Sequence, residues 1–320
     1  NSIRFNDDDS AYMHRTPSSG GNRDKWTWSC WVKRGEITSA NANLFHAGDD
    51  SNTTDYTQIL FNGNSGGTPT FKFNSTISSS QVLNLTTTQY FRDPSAWYHI
   101  VCVYDSSNAV STERARIYVN GSRVTDFSSE TYPSQNQDLM TNHTVKHSIG
   151  RRNLDTSRYM DGYMAEMVMI DGQALDPSSF GEYNSSNIWI PKDVSGLTFG
   201  TNGFYIKGED SSDLGNDSSG NGNDYSTSGL AAHDQVSDSP TNNFCVMNPM
   251  DKTYNAISDG NLVTTGGSNN KGGRGTMGFS SGKFYWEVLA TTISDGYGGS
   301  GVVYDSLSST FTSAAYAAGG

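Results

Sequence analysis

SIGRRNLDTSRYMDGYMAEMVMIDGQAL, residues 148–175, decides how this chain folds. It reads as a strand ending on Gly150, a polar loop, and a second strand from Tyr163 to Ile170. The turn pair Asp171-Gly172 closes that strand. Side chains alternate along a strand, so Tyr163, Ala165, Met167 and Met169 are expected on one face. Met164, Glu166, Val168 and Ile170 are expected on the other. Both faces are largely apolar, which places the strand inside a sheet covered on both sides. The rest of the chain must supply that cover.

Working outward, Trp26 to Lys33 (WTWSCWVK) puts Trp26, Trp28, Cys30 and Val32 on one face. Thr27, Ser29 and Lys33 form a polar face that also carries Trp31, read as a packing residue with a ligand platform as the alternative. Trp97 to Tyr104 is apolar on both faces and therefore central. Ala115 to Asn120 runs into the hairpin signal Asn120-Gly121 and on to Ser122–Thr125. Asn43 to Ala47 is a short strand followed by a loop, Gly48 to Asp55. Tyr56 to Phe61 and Thr70 to Phe73 form a hairpin. Ser2–Phe5 and Ala11–His14 read as edge segments around Asp7-Asp8-Asp9. No stretch sustains a helical period; the nearest is one turn at Asp176–Phe180. Many short strands with frequent turns, some apolar on both faces, call for two packed sheets.

Composition agrees. Apolar residues make up 34% and aromatics 12%, so the chain is polar yet has rings to bury. A net charge of -12 repels phosphate and argues against nucleic acid as a partner. No apolar run approaches the ~18 residues of a membrane span, so membrane insertion is not expected. Cys30, Cys102 and Cys245 make no disulfide framework, and the first two read as buried thiols.

Taken in order, WTWSCWVKR, WYHIVCVYD, ARIYVNGSRV and SIGRR…YMDGYMAEMVMIDGQAL resemble the successive strands of a laminin-G-like domain. That family belongs to the concanavalin A-like lectin and glucanase superfamily. The resemblance implies an all-β, jelly-roll β-sandwich over residues 1–228. Gly203 to Gly222 resembles a strand and Asp-Ser-x-Gly-Asn-Gly loop that usually open such a domain. Coming last here, it either closes the sandwich or begins a linker. FSSGKFYWEV, residues 279–288, resembles the core of a SPRY module, a second and incomplete β-sandwich over 272–320, with Tyr297–Tyr304 as its next strand. Residues 229–271 would be linker and entry strands. The pairing of the two modules in an Asn/Gly/Ser-rich chain, together with Thr241–Cys245 and Asn248-Pro249, resembles virion proteins of marine bacteriophages.

The resemblance also says where chemistry would sit. Superfamily glucanases carry Glu-x-Asp-x-x-Glu on one strand. Here Glu166 to Asp171 reads Glu-x-Val-x-x-Asp, with Val168 at the central position, so no catalytic carboxylate pair is visible and no enzyme is expected. Calcium is the one cofactor implied. Its ligand positions match Asp55 and Asn142, with Asp49 and Asp50 near enough to add charge; the competing reading is that Asp55 caps a loop and Asn142 is solvated. A second metal candidate is Asp217, Ser219 and Asn221, where a plain turn is the alternative because Ser228 stands at the closing position. A glycan edge could use Tyr56, His143 and Arg151. The expected function is therefore a non-enzymatic virion protein, a phage tail-fibre, spike or capsid-decoration component that binds host-surface glycans. The alternatives are an extracellular location, a purely structural packing module, and a glucan-processing enzyme, which Val168 disfavours. Expected partners are other virion proteins and glycans. Fibres are often trimeric, so a homo-oligomer is admitted, though no residue specifies an interface.

Overall fold

The computed structural model describes residues 1–37, 40–63, 68–154, 158–252, 256–265, 273–291 and 300–302. The strands are β1 (Ser2–Phe5), β2 (Tyr12–Arg15), β3 (Lys25–Arg34), β4 (Ala42–Ala47), β5 (Tyr56–Asn62) and β6 (Thr70–Ile77). Next come β7 (Ser80–Tyr90), β8 (Trp97–Asp105), β9 (Ala115–Val119), β10 (Ser122–Arg123), β11 (Phe127–Thr131), β12 (His147–Ile149) and β13 (Gly162–Asp171). Then follow β14 (Gly181–Tyr183), β15 (Trp189–Pro191), β16 (Phe204–Ile206), β17 (Ser226–Ser228), β18 (Gln235–Val236), β19 (Met247–Lys252), β20 (Ala256–Ser258), β21 (Val263–Thr265) and β22 (Gly273–Gly275).

Two antiparallel sheets form a sandwich. The first runs β10-β9-β8-β3-β13-β1-β18, with β16 also paired to β13; the second runs β11-β7-β6-β5-β4-β12-β2-β17. The fold is all-β, as expected. Trp26 from the first sheet stacks on Tyr104 at 5.5 Å and meets Phe73 of the second sheet edge-on at 5.6 Å. Trp28, Phe45, Ile59, Phe61, Phe71 and Leu85 complete the same buried core. Burying each such side chain contributes about 1.5–3 kcal/mol.

β13 is central but does not alternate as its sequence predicts. Against β3, Ala165 faces Trp31 while Val168 faces Ser29, so one extra residue is inserted between them. Glu166 sits in this bulge with φ of 50°. A bulge shifts the pleat by one residue and exchanges the two faces beyond it. Met164, Met167 and Met169 therefore point into the sandwich, and Tyr163, Ala165, Val168 and Ile170 point away.

The outward face of the first sheet is itself buried. Val101, Val168, Ile170 and Tyr205 pack under Phe180, Val194 and Phe199. Trp31, Trp97, Tyr163 and Ala165 pack under Trp189, Val236 and Val246. The polar face of β3, expected to be wet, is buried too: Lys33 is 0% exposed, with its ammonium 2.8 Å from Asp238. Trp31 is a packing residue. The last third of the chain thus builds a third layer over one sheet.

Other differences follow from long-range pairing. β1 and β2, read as edge segments, lie in different sheets, and each is flanked on both sides, β1 by β13 and β18, β2 by β12 and β17. The 11-residue β7 carries too few apolar side chains to be recognised as a strand. Gly203–Gly222 closes the sandwich through β16. The described part of 229–271 packs on it: Gln235 and Val236 pair with β1, and Arg4 bridges Asp234 and Asp259. Residues 276–291 form no strand, and Tyr285 and Leu289 are 81% and 86% exposed. A strand needs a hydrogen-bonding neighbour, and among the described residues this run has none. Tyr297–Tyr304 lies, except for 300–302, outside the described residues, as do 303–320 and 266–272.

Candidate functional site on the outer face of the second sheet

Two adjacent rows cross the second sheet. Met13, Ile149, Phe45, Ile59, Phe73 and Leu85 are cross-strand partners, and all face the core. One residue along each strand lies the second row: His14, Ser148, His46, Gln58, Asn74 and Asn84. The pleat turns this row away from the core. It is polar at every position, and except for His14 every residue in it is buried, at 0–6% exposure. Asn43 Oδ1, Asn74 Oδ1 and both ring nitrogens of His46 make no hydrogen bond among the described residues.

The row ends in an edge of rings and charges. Tyr56 stacks on His46 with centroids 5.9 Å apart. The Arg151 guanidinium lies 3.8 Å over the Tyr12 ring, and that of Arg152 lies 5.7 Å from the Tyr56 centroid. Tyr159 and His14 flank Tyr12 at 6.3 and 5.4 Å. Asp50 receives Lys146 at 2.9 Å and Arg151 at 3.6 Å, and Asp49 accepts the Lys146 backbone N–H at 3.3 Å. The local field is basic in an acidic protein. Burial, with Arg152, Arg151 and Arg158 adding to it, pushes the His46 pKa down to about 3. Burial and then Arg158 lower that of Lys72.

The structure thus brings together Asp49, Asp50, Tyr56 and Arg151 from the expected edge. His143 stands beside them: burial first, then Arg23, lower its pKa, with Asp49 acting against them. Sequence reasoning missed Tyr12, His14, His46, Lys146 and Arg152. The Arg151-Arg152 doublet was a visible signal, but its partners come from β2 and β4, which local sequence cannot pair.

Asp55 and Asn142 serve separate networks. Asp55 Oδ1 accepts the Ser78 N–H at 2.8 Å and Oδ2 the Thr54 hydroxyl at 2.6 Å, closing its loop; the Ser78 bond first, then Thr54, lowers its pKa. Asn142 is 1% exposed, and its amide donates to Asn22 O at 2.8 Å and Asp171 Oδ1 at 3.1 Å. Asp217 accepts the backbone N–H groups of Tyr205, Ser219 and Asn223 and the Ser219 hydroxyl, while the Asn221 amide donates to Gly200 O and Gly203 O. Among the described residues no group of three or more His, Cys, Asp or Glu converges on one point.

Residues 6–179, more than half of the chain, match the laminin G family described as the concanavalin A-like lectin/glucanases superfamily. The chain belongs to this superfamily. A comparison with curated proteins finds no match. Solved structures similar to it include a heptameric SAP-like pentraxin from Limulus polyphemus, 14% identical with a TM-score of 0.36, covering 52% of this chain and 71% of the pentraxin. Another is tailspike protein 2 of Escherichia coli O157:H7 bacteriophage CAB120, 11% identical with a TM-score of 0.38, covering 52% of this chain and 22% of the tailspike. Domains LG4-5 of the mouse laminin alpha1 chain are 13% identical with a TM-score of 0.35, covering 62% and 44%.

The superfamily includes glucanases, so the acidic and nucleophilic groups of this member matter. The Tyr205 hydroxyl donates to the Glu166 carboxylate, and burial raises the pKa of that carboxyl. Asp171 accepts the Asn22 and Asn202 backbone N–H groups at 2.7 and 2.9 Å and so ties loops together. A Ser–His pair that the sequence did not reveal also exists: Ser29 Oγ lies 2.9 Å from His99 Nε2. The Trp189 indole N–H donates to His99 Nδ1 at 3.0 Å. An indole only donates, so Nδ1 accepts and the ring proton sits on Nε2, directed at Ser29. That tautomer is the reverse of a general base for serine. Burial pushes the His99 pKa to about 3.

Proposed function

We propose that this superfamily member is a non-enzymatic glycan-binding module that attaches to a cell surface through the outer face of its second sheet. The observation that carries the reading is the polar row bordered by Tyr12, Tyr56, Tyr159, Arg151, Arg152 and Lys146. Rings offer flat faces to sugar C–H groups, amides and imidazoles match hydroxyls, and guanidinium forks take paired oxygens. A basic edge on a chain of charge -12 steers acidic glycans to that face. Val168, the engaged Glu166 and the reversed tautomer of His99 support binding without turnover. The module serves as a virion component such as a tail fibre, spike or capsid decoration, with an extracellular lectin as the alternative; this part of the reading rests on the resemblance of the chain to marine phage virion proteins.

A second reading, a packing module that meets other virion proteins, is favoured by the low exposure of the row, 1% at Asn74 and 5% at Gln58. A glycan array probed with and without calcium separates the two. Binding to acidic glycans supports attachment, and a clean negative in both conditions favours packing. Calcium at Asp55 is tested in the same way: a melting temperature that rises with calcium in the parent and not in Asp55→Ala supports it. Release of reducing sugar from any bound glycan would overturn the non-enzymatic reading.

A further inference from the structure

We infer that the opposite side of the molecule carries a second, independent carbohydrate site: the cleft between the β14–β15 hairpin and the β9–β10 turn takes a neutral sugar. The cleft has a volume of about 540 Å³, and its lining includes Tyr118, Asp176, Glu182, Tyr183, Trp189 and Lys192. That size suits a small ligand.

Its aromatic wall is fixed before anything binds. Trp189 and Tyr183 are direct partners across the hairpin and meet edge-to-face at 5.0 Å. The Trp189 indole is tethered to His99, and its ring lies against the backbones of Gly121 and Gly181. A Cβ at these glycines would come within 3.1 and 2.5 Å of the ring. Gly121 also holds φ of 79° in the turn after Asn120, so glycine is required there twice over. Tyr183 is 56% exposed although its ring is held. A ring that is both wet and immobilised loses little entropy when a ligand stacks on it.

The polar groups select the ligand. Asp176 and Glu182 accept hydrogen bonds from hydroxyls, and Lys192, whose ammonium reaches Ser178 O at 3.2 Å, donates them. Two carboxylates against one ammonium, on a chain of charge -12, disfavour an anion. What fits is a neutral ring with hydroxyls on its rim and an apolar C–H face. Tyr118, Gly121 and Asp176 lie inside the superfamily match at 6–179, whereas Gly181 to Lys192 lie beyond it. The cleft is therefore completed by residues outside the matched domain, on the opposite sheet from the first site and with opposite charge preference.

The test follows the six indole N–H resonances of the protein during titration with cellotriose, maltotriose and chitotriose, with sialyllactose as the anionic control. The expected result is a saturable shift of the Trp189 resonance with at least one neutral trisaccharide below about 10 mM. Tyr183→Ala, at an exposed position that leaves the fold intact, should weaken that binding at least ~5-fold, about 1 kcal/mol. Tyr90→Ala, an exposed tyrosine on β7, and Arg152→Ala at the first site should leave it unchanged. No shift with any neutral trisaccharide, equal binding by Tyr183→Ala, or preference for sialyllactose would overturn the proposal; loss of binding in Arg152→Ala would assign it to the first site instead.

Discussion

The outer faces of the two sheets solve the same problem in opposite ways. On the first, Trp31 stacks on His99 at 4.7 Å, Trp189 caps them, and Lys33 and Arg4 are buried with acidic partners from the last third of the chain. On the second, a polar row with unpartnered acceptors meets a loop edge of rings and guanidinium groups. Among the described residues beyond the superfamily match, Phe180, Trp189, Val194, Phe199, Val236 and Val246 cover the outer face of the first sheet. On the second sheet the part available for recognition is the edge, where Tyr12, Tyr56, Lys146, Arg152 and Tyr159 are half-buried and Asp50 is exposed, rather than the buried row itself.

The largest effect expected is at the sealed face. Asp238 pairs with Lys33 at 2.8 Å and accepts the Trp97 indole N–H at 3.0 Å. Asp238→Ala leaves the buried Lys33 ammonium its hydrogen bonds to Asn243 Oδ1 and Phe244 O but removes its paired carboxylate, and should cost about 3–5 kcal/mol in urea unfolding with an unchanged slope. A loss under ~1 kcal/mol would mean that the third layer is not packed in solution.

At the rim, at the start of β13, burial and then Asp7 and Glu36 push the Asp161 pKa up to about 7, against backbone hydrogen bonds from Glu36 and Gly260. Its folded pKa lies above its unfolded value near 3.8, so its contribution is full below ~4 and is lost as pH rises through ~7. Asp161→Asn, which keeps the acceptor for the Glu36 N–H, should raise stability at pH 8 by up to ~4 kcal/mol and not at pH 4. An equal gain at both pH values would contradict this.

The histidines divide the faces more finely. His46, His99 and His147 are each held at about 3, mainly by burial, against 6.5 in a free imidazole. The neutral ring is favoured in the fold, so stability is full above ~6.5 and falls as the pH drops toward ~3. His99→Phe removes the partner of both Ser29 and Trp189 and should cost about 1–3 kcal/mol at pH 7. His46→Leu removes a ring with no hydrogen bond and should be within ~1 kcal/mol of neutral. Each should remove about one proton from the acid slope; equal cost at pH 7 would erase the contrast between the faces.

Much of this was legible beforehand, and the gaps have physical causes. WTWSCWVK and WYHIVCVY announced the centre of the first sheet through runs apolar on both faces, and Asn120-Gly121 announced its turn. The bulge at Glu166 was not legible, because no glycine or proline marks it and alternation alone predicts a regular strand. β7 was hidden because half of its residues face outward with Asn and Thr. At the site, Asp49, Asp50, Tyr56 and Arg151 were found through two loops that each lie close in sequence. Tyr12 and His14 were not, since they arrive through β2 pairing with β12 across more than a hundred residues.

The smallest effect on stability and the most direct test lie at the edge of the second sheet. Arg152→Ala and Tyr56→Ala should each change stability by less than ~1 kcal/mol. The decisive measurement is acidic-glycan array binding by the parent and by Arg152→Ala, with recovery of the bound glycan. The account predicts binding by the parent, at least ~10-fold weaker binding by the variant, equivalent to ~1.4 kcal/mol, and glycan recovered intact. Undiminished binding by the folded variant, no binding by the parent, or cleaved glycan would contradict it.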